Sequence, residues 1–267
     1  AEIFWKTRLA DLEQSASLPK KSAEPNGELE QAVFTISEEQ TNELKNIAAR
    51  AGATLNTVFQ ALWGILLQRV SRCDDAVFGS VVSGRPSDLA GVEKMVGLFI
   101  NTIPVRVKSG SFSFLELVRH LQQETLQAEA YSYYPLYDIQ AQSPLKQALF
   151  DHIIVFENVP AQREIENVSQ AGSFDFAVED FTMEEVTNYG CSIKVIPGNS
   201  LYIRLKFDTG IYDDVFMKNI ETFLRHMVNS VISDPEIGAS EIALLDACEA
   251  RSMMDAFNHT ETVEPPA

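Results

Sequence analysis

A chain of 267 residues has room for one large domain or two small ones. Acidic residues outnumber basic ones 38 to 21, for a formal net charge of -17, which speaks against a broad nucleic-acid-binding surface. No run of about 18 apolar residues is present, so no membrane-spanning helix is expected. Cys73, Cys191 and Cys248 are widely spaced and form no metal-ligand pattern; reduced thiols in a cytoplasmic protein, with no bound metal, is the expectation. The opening Ala-Glu-Ile-Phe-Trp-Lys has no signal-peptide pattern, and Ala1 in place of Met suggests a processed or excised piece.

Glu2–Leu12 reads as a short helix with Phe4, Trp5 and Leu9 on one side, and Ser15–Gly27 as an exposed connection. Glu28–Ile36 alternates and predicts a strand. Ser37-Glu38-Glu39-Gln40 has capping-box spacing; the helix that follows turns Leu44, Ile47 and Ala51 inward and stops at Gly52. Thr54 opens a second helix whose Leu55, Val58, Phe59, Leu62, Ile65 and Leu66 follow core spacing, with Trp63 read as packed rather than ligand-facing.

Ala76–Val82 and Leu98–Val107 are β-branched apolar runs that predict a strand pair, joined by a loop with Ser83-Gly84-Arg85-Pro86, Gly91 and Gly97. Alternation puts Phe99, Asn101, Ile103 and Val105 on one face. An amide in such a row needs specific partners, from a neighbouring loop or from a ligand. Ser113–Glu116 is a second capping box, opening a helix with Leu117, Val118, Leu121 and Ala128 inward and His120 at the surface. The unusual Tyr131-Ser132-Tyr133-Tyr134-Pro135 follows. Strands are predicted within Leu149–Pro160, at Phe174–Phe181, at Cys191–Ile196 and at Leu201–Asp208, with His152 structural and a turn at Pro197–Ser200. Tyr212–Ile232 is an amphipathic helix, ended by Asp234-Pro235. The chain contains no GxSxG elbow, HExxH, P-loop or Rossmann GxGxxG.

Val96-Gly97-Leu98-Phe99-Ile100-Asn101-Thr102, running into Pro104-Val105-Arg106, resembles the fifth core motif of condensation domains in nonribosomal peptide synthetases. Ser83-Gly84-Arg85-Pro86 stands at the family's usual short distance upstream, and Leu149–Pro160 is similar to the family's "lfd.l.vfeN.p" strand. The aromatic-Pro stretch departs from the sixth motif, with Tyr131-Ser132 where His-Gln is common.

The resemblance implies an α/β, chloramphenicol acetyltransferase-like lobe, a mixed β-sheet packed with helices. The family's HHxxxDG is absent, so the chain aligns with the C-terminal lobe alone: residues 1-242, followed by a linker, 243-267, toward an adenylation domain. The implied partners are the N-terminal condensation lobe, donor and acceptor peptidyl carrier domains and the adenylation domain, with no nucleic acid and no membrane. The implied activity is peptide (amide) bond formation between carrier-bound thioesters in antibiotic biosynthesis. The 4'-phosphopantetheine arms belong to the carriers, and no cofactor is bound by this chain. No catalytic residue is expected in this lobe, and the fragment alone is expected to be inactive. Asn101, Gly97, Phe99 and Thr102 are the tunnel and substrate-positioning candidates, and Arg85 and Arg106 the lobe-interface candidates. A lobe parted from its partner is expected to expose apolar area. A noncatalytic docking module and an epimerising relative are the alternatives.

Overall fold

The computed structural model describes residues 1–21, 27–85, 89–157, 187–246, 249 and 251. The expectations for Ala161–Gln170, for a strand at Phe174–Phe181 and for the exit beyond Arg251 lie outside them. The elements in chain order are α1 (Glu2–Leu9), β1 (Leu29–Ile36), α2 (Glu38–Ala51), α3 (Leu55–Ser71), β2 (Asp75–Val82), β3 (Asn101–Lys108), α4 (Phe114–Glu129), α5 (Leu136–Gln142), β4 (His152–Phe156), β5 (Cys191–Ile196), β6 (Leu201–Asp208) and α6 (Asp214–Ser233).

The strands form one mixed six-stranded sheet in the order β1-β6-β5-β4-β2-β3. β4 runs parallel to β2 and to β5, and the remaining pairs are antiparallel. Parallel neighbours need crossover connections, and helices supply the link from β2 to β4. The edge strand β3 carries Pro104, whose missing N–H is tolerated at an edge.

Alternation along the strands feeds two cores. One face of the sheet, with Phe78, Val105, Ile154, Ile193 and Leu205, packs against α2, α3, α4 and α6. On the other face Val77 and Ile153 meet Trp5 and Leu9 of α1 and Ile139 of α5, a cluster that Ile103 of the edge strand joins. Burying a Leu- or Val-sized side chain contributes about 1.5–3 kcal/mol, so these two layers hold the sheet together. α3 is buried on nearly every side. Its Gly64 lies so near β3 that an added Cβ would come within 2.5 Å of Val107.

The helix ends follow local chemistry. Ser37 and Gln40 form a reciprocal capping box, and Gly52 closes α2 in the left-handed region at φ 65°. Ser113 and Glu116 repeat the box on α4, and the Asp213 carboxylate caps α6. At the chain's far end, Arg69 donates to the carbonyls of Ile242 (3.0 Å) and Ala239 (2.7 Å). Leu244 and Leu245 pack on the core.

The strand predicted over Leu98–Val107 begins three residues later, at Asn101. Phe99 is therefore not in the ladder with Ile103 and Val105, and Leu98 and Ile100 are exposed.

Candidate functional site

β2 leaves the sheet at Val82, opposite Asn101 of β3. Gly84 follows at φ 60°, and an added Cβ there would fall 1.8 Å from the Phe99 carbonyl oxygen. Only glycine fits both the backbone angle and the approach. Arg85 completes the clasp. Its guanidinium lies 4.5 Å over the Phe99 ring, and it donates to the Val92 carbonyl and, at 3.0 Å, to that of Met95. Val92 is buried and opens the 3-10 turn Val92–Lys94, with Gly91 left-handed before it. Gly97 lies beside the Phe99 ring, where an added Cβ would meet Cε2 at 3.2 Å.

Asn101 fastens the other end of the loop. Its amide donates to the carbonyls of Ser132 and Tyr134, both at 2.8 Å, and its Oδ1 accepts from the Thr102 N–H at 2.9 Å. Both amide hydrogens are thus used on the tyrosine turn. Of the two kinds of partner expected for this amide, the structure supplies the neighbouring loop. That turn is braced in its own right, since Tyr131 stacks on Phe4 at 4.4 Å and its carbonyl accepts from Trp5 Nε1. The structure thus brings Arg85, Gly97, Phe99, Asn101 and Thr102 into one loop system, anchored to the turn after α4.

Arg106 stands apart, only 8% exposed, beneath a groove of about 770 Å³ between α1 and α4. It donates to Asp75 through Nε (2.9 Å) and Nη2 (2.5 Å), and to Asp11 (2.7 Å) and the Arg8 carbonyl through Nη1. These bonds hold the Asp11 carboxyl well below the usual carboxylate range, with help from Lys108. Arg8 pairs with Glu124 at 2.5 Å. The charges lining the groove are therefore mutually matched, and the Arg106 guanidinium is committed within this lobe.

The network at the centre of the sheet is hidden from local sequence. His152 is fully buried: Trp63 Nε1 donates to its Nε2 at 2.8 Å, and its Nδ1 faces Asp151 at 2.7 Å. Accepting from Trp63 makes Nε2 the bare nitrogen and Nδ1–H the donor to Asp151. Lys20 lies 2.7 Å from the other Asp151 oxygen, and Tyr212 Oη donates to the Asp151 carbonyl. Burial raises the Asp151 carboxyl, but the bonds from His152 and Lys20 outweigh it and lower it. Desolvation pushes the Cys191 thiol far up and keeps it an inert thiol. Trp63 and His152 are core residues, as the sequence predicts.

Among the described residues, His226, Asp246 and Glu249 have ligand-type atoms within 4.8 Å of one another. Capping accounts for the two acids, since the Glu249 N–H donates to Asp246 at 2.7 Å and Glu249 Oε2 accepts from His226. No nucleophile–base pair or paired carboxylates in a cleft emerge from this set. No described helix is long and apolar enough to cross a membrane.

The sheet with helices on both faces, and a motif-bearing loop at its edge, define a mixed α/β lobe of the condensation-domain type. The sequence matches the condensation-domain family over residues 1–254, and the chain belongs to that family. It is 60% identical to one of the plipastatin synthase subunits of Bacillus subtilis (strain 168), over 100% of this chain and 10% of that protein. Identity to gramicidin S synthase 2 of Brevibacillus brevis is 39%, over 98% of this chain and 6% of that protein. The chain thus spans about a tenth or less of these relatives. Among solved structures, a holo four-domain nonribosomal peptide synthetase bound to AMP and glycine superposes with TM-score 0.76 at 18% identity, over 93% of this chain and 20% of that one. The X-domain from teicoplanin biosynthesis gives 0.73 at 20% identity, over 91% and 56%. The first condensation domain of the calcium-dependent antibiotic synthetase, in complex with a substrate analogue, gives 0.67 at 16% identity, over 92% and 54%. The chloramphenicol acetyltransferase-like fold expected from the sequence agrees with these likenesses.

Proposed function

We propose that this chain is the C-terminal half of a condensation domain, residues 1-242 followed by a linker toward an adenylation domain, and that the whole domain forms amide bonds between carrier-bound thioesters. The supporting observation is the family match across residues 1–254, in a chain that covers only 54% of a solved condensation domain. In this reading the acceptor amine attacks the donor thioester carbonyl. The C–N bond forms, the C–S bond breaks, the amine gives up a proton, and the pantetheine thiol leaves on the donor carrier. Holding both arms in one tunnel replaces a bimolecular encounter by a positioned one.

This lobe contributes shape to that tunnel. Gly97, Phe99, Asn101 and Thr102 form its floor, Asn101 acting through the tyrosine turn that it holds. Arg85 sets the loop from one side and is the lobe-interface residue, while Arg106 fixes α1 to the sheet from below. The residue that handles the amine proton belongs to the HHxxxDG of the preceding lobe. A cytoplasmic location, and two carrier domains and an adenylation domain as partners, accompany this reading.

The fold likeness to the X-domain, a relative also solved in complex with OxyB, supports a second reading as a docking module without chemistry. One experiment separates the two. The intact condensation domain of the parent chain is given donor- and acceptor-loaded carriers, and the acceptor is analysed by mass spectrometry. The condensed thioester on the acceptor arm is expected. Carrier binding with no product would favour docking and reject the amide-forming reading.

A further inference from the structure

The two edges of the sheet are finished differently. β3 is buried from Ile103 to Val107 and carries Pro104, which has no N–H to offer. β1 has neither cover nor proline. Its Leu29 and Val33 are 60% and 44% exposed, Gln31 and Thr35 are exposed too, and its register with β6 runs from Leu29 to Ile36 without a bulge. Sheet edges are ordinarily blunted by such devices, and an edge without them is a place where another strand pairs.

The hydrogen bonds show what this edge offers. The Thr209 N–H donates to the Glu28 carbonyl at 2.9 Å, and the Asp208 N–H turns the other way, to Gly190 at 2.9 Å. Alternate residues of an antiparallel pair exchange both bonds. Glu30, Ala32 and Phe34 therefore spend their groups on β6, while Leu29, Gln31, Val33 and Thr35 turn theirs outward. Among the described residues, the Thr35 carbonyl is the outward group that finds a partner, Arg225 Nη2 at 2.9 Å. The same four side chains point away from the face on which Phe34 and Ile36 join the core. On that outer face Arg204 stands opposite Val33, and Lys206 opposite Gln31. Arg204 is half-buried and makes no ion pair among the described residues.

We infer that β1 is a docking edge for an extended, acidic connecting segment of the longer parent chain, which pairs along Leu29–Thr35 as a seventh strand and turns a carboxylate toward Arg204. Main-chain bonds supply the hold in such an addition, and alternate side chains the choice of partner. The edge lies at the opposite end of the sheet from the motif-bearing loop. The inference rests on this chain being one piece of a longer one, and not on the amide-forming reading. The chain spans 10% and 6% of two of its relatives, and a segment tethered in the same polypeptide meets its site at high local concentration. A second copy of the chain is a poorer occupant. β1 against β1 would bring Arg204 and Lys206 of both copies onto one face, and would join two chains of formal charge -17 each.

The test is amide hydrogen exchange, read by mass spectrometry with fragmentation to single residues, on the intact condensation domain and on the parent chain. The Gln31 and Val33 amides are expected to exchange freely in the domain and about tenfold or more slowly in the parent. Val33→Pro removes an N–H that β6 does not use, so the domain keeps its Tm while Gln31 loses its protection in the parent. Arg204→Glu is expected to remove the protection as well, and Arg204→Lys to keep it. If Val33→Pro unfolds the domain, Arg204→Glu decides alone. Slow exchange already in the isolated domain, or equally fast exchange in both, overturns the inference. So does protection that rises with the concentration of the parent, which would assign the edge to self-association. Protection that survives Val33→Pro in a folded protein overturns the added strand, and protection that survives Arg204→Glu overturns the acidic occupant.

Discussion

Replacing Asn101 with alanine in the intact condensation domain removes two donated bonds of 2.8 Å and one accepted bond of 2.9 Å. The Ser132 and Tyr134 carbonyls and the Thr102 N–H lose their partner, while the strand itself can still pair. At a net of about 0.5–1.5 kcal/mol per bond the sum is about 1.5–4.5 kcal/mol. Asn101 is half-buried, so water replaces part of this, and about 2 kcal/mol is the expected loss. In the intact domain, about twice as long as this chain, that lowers Tm by about 2 °C. The chemical effect is worked from the same geometry. Because both amide hydrogens are spent on the turn, the side chain acts through position and not as an oriented donor to the reacting atoms. Losing such a donor costs about 100- to 1,000-fold, whereas a displaced turn is expected to cost about tenfold, at the low end of what a misplaced tunnel wall costs. The assay is single-turnover condensation by the intact domain, normalised to folded fraction, beside a thermal melt. A loss above about 100-fold with an unchanged melt would refute the positioning argument. An unchanged rate with a lowered Tm would make Asn101 purely structural and remove it from the site.

Gly84→Ala is expected to release the loop clasp, because the new Cβ would lie on the Phe99 carbonyl oxygen; faster amide hydrogen exchange across Gly91–Ile100 with little change in β5 and β6 is the expected readout, and uniform exchange would count against it. Arg106→Met leaves Asp75 without its buried partner and is expected to cost about 3–5 kcal/mol by denaturant unfolding, with partial recovery on adding Asp75→Leu; a loss below about 1 kcal/mol would mean the pair is a surface one. Asp151 has a folded-state pKa below its unfolded value of about 3.9, so its stabilisation is present above that pH and is lost as pH falls through the folded value. Asp151→Asn should therefore lower Tm most at neutral pH and flatten the decline below about pH 4; parallel Tm curves for the two proteins across that range would contradict the sign.

What the sequence reveals and what it hides divide by the range of the contact that decides each feature. Both capping boxes lie within four residues, and Ser37 and Ser113 are legible from spacing alone. The hairpin of β5 and β6 is equally plain, since its buried and half-buried positions alternate along both strands. The start of β3 is not. Leu98 and Ile100 have strand-forming character, and the close approach of Gly84 to the Phe99 carbonyl, between residues fifteen apart in the chain, does not show in a local pattern. Asn101 could be singled out from its apolar neighbours, but its partners lie 31 and 33 residues on, in a turn whose motif departs from the family pattern. Trp63 and His152 were each legible as core, and their bond across 89 residues was not. Arg106 is a lobe-interface candidate in the resemblance, and only the fold brings Asp75 of β2 and Asp11 after α1 to it.

The most direct test of the account compares this chain of 267 residues with the intact condensation domain of its parent, each given the same donor- and acceptor-loaded carriers and read by mass spectrometry for the condensed thioester. The account predicts product from the intact domain and none above a no-protein control from this chain, whose sequence contains no HHxxxDG. Turnover by this chain alone would contradict it.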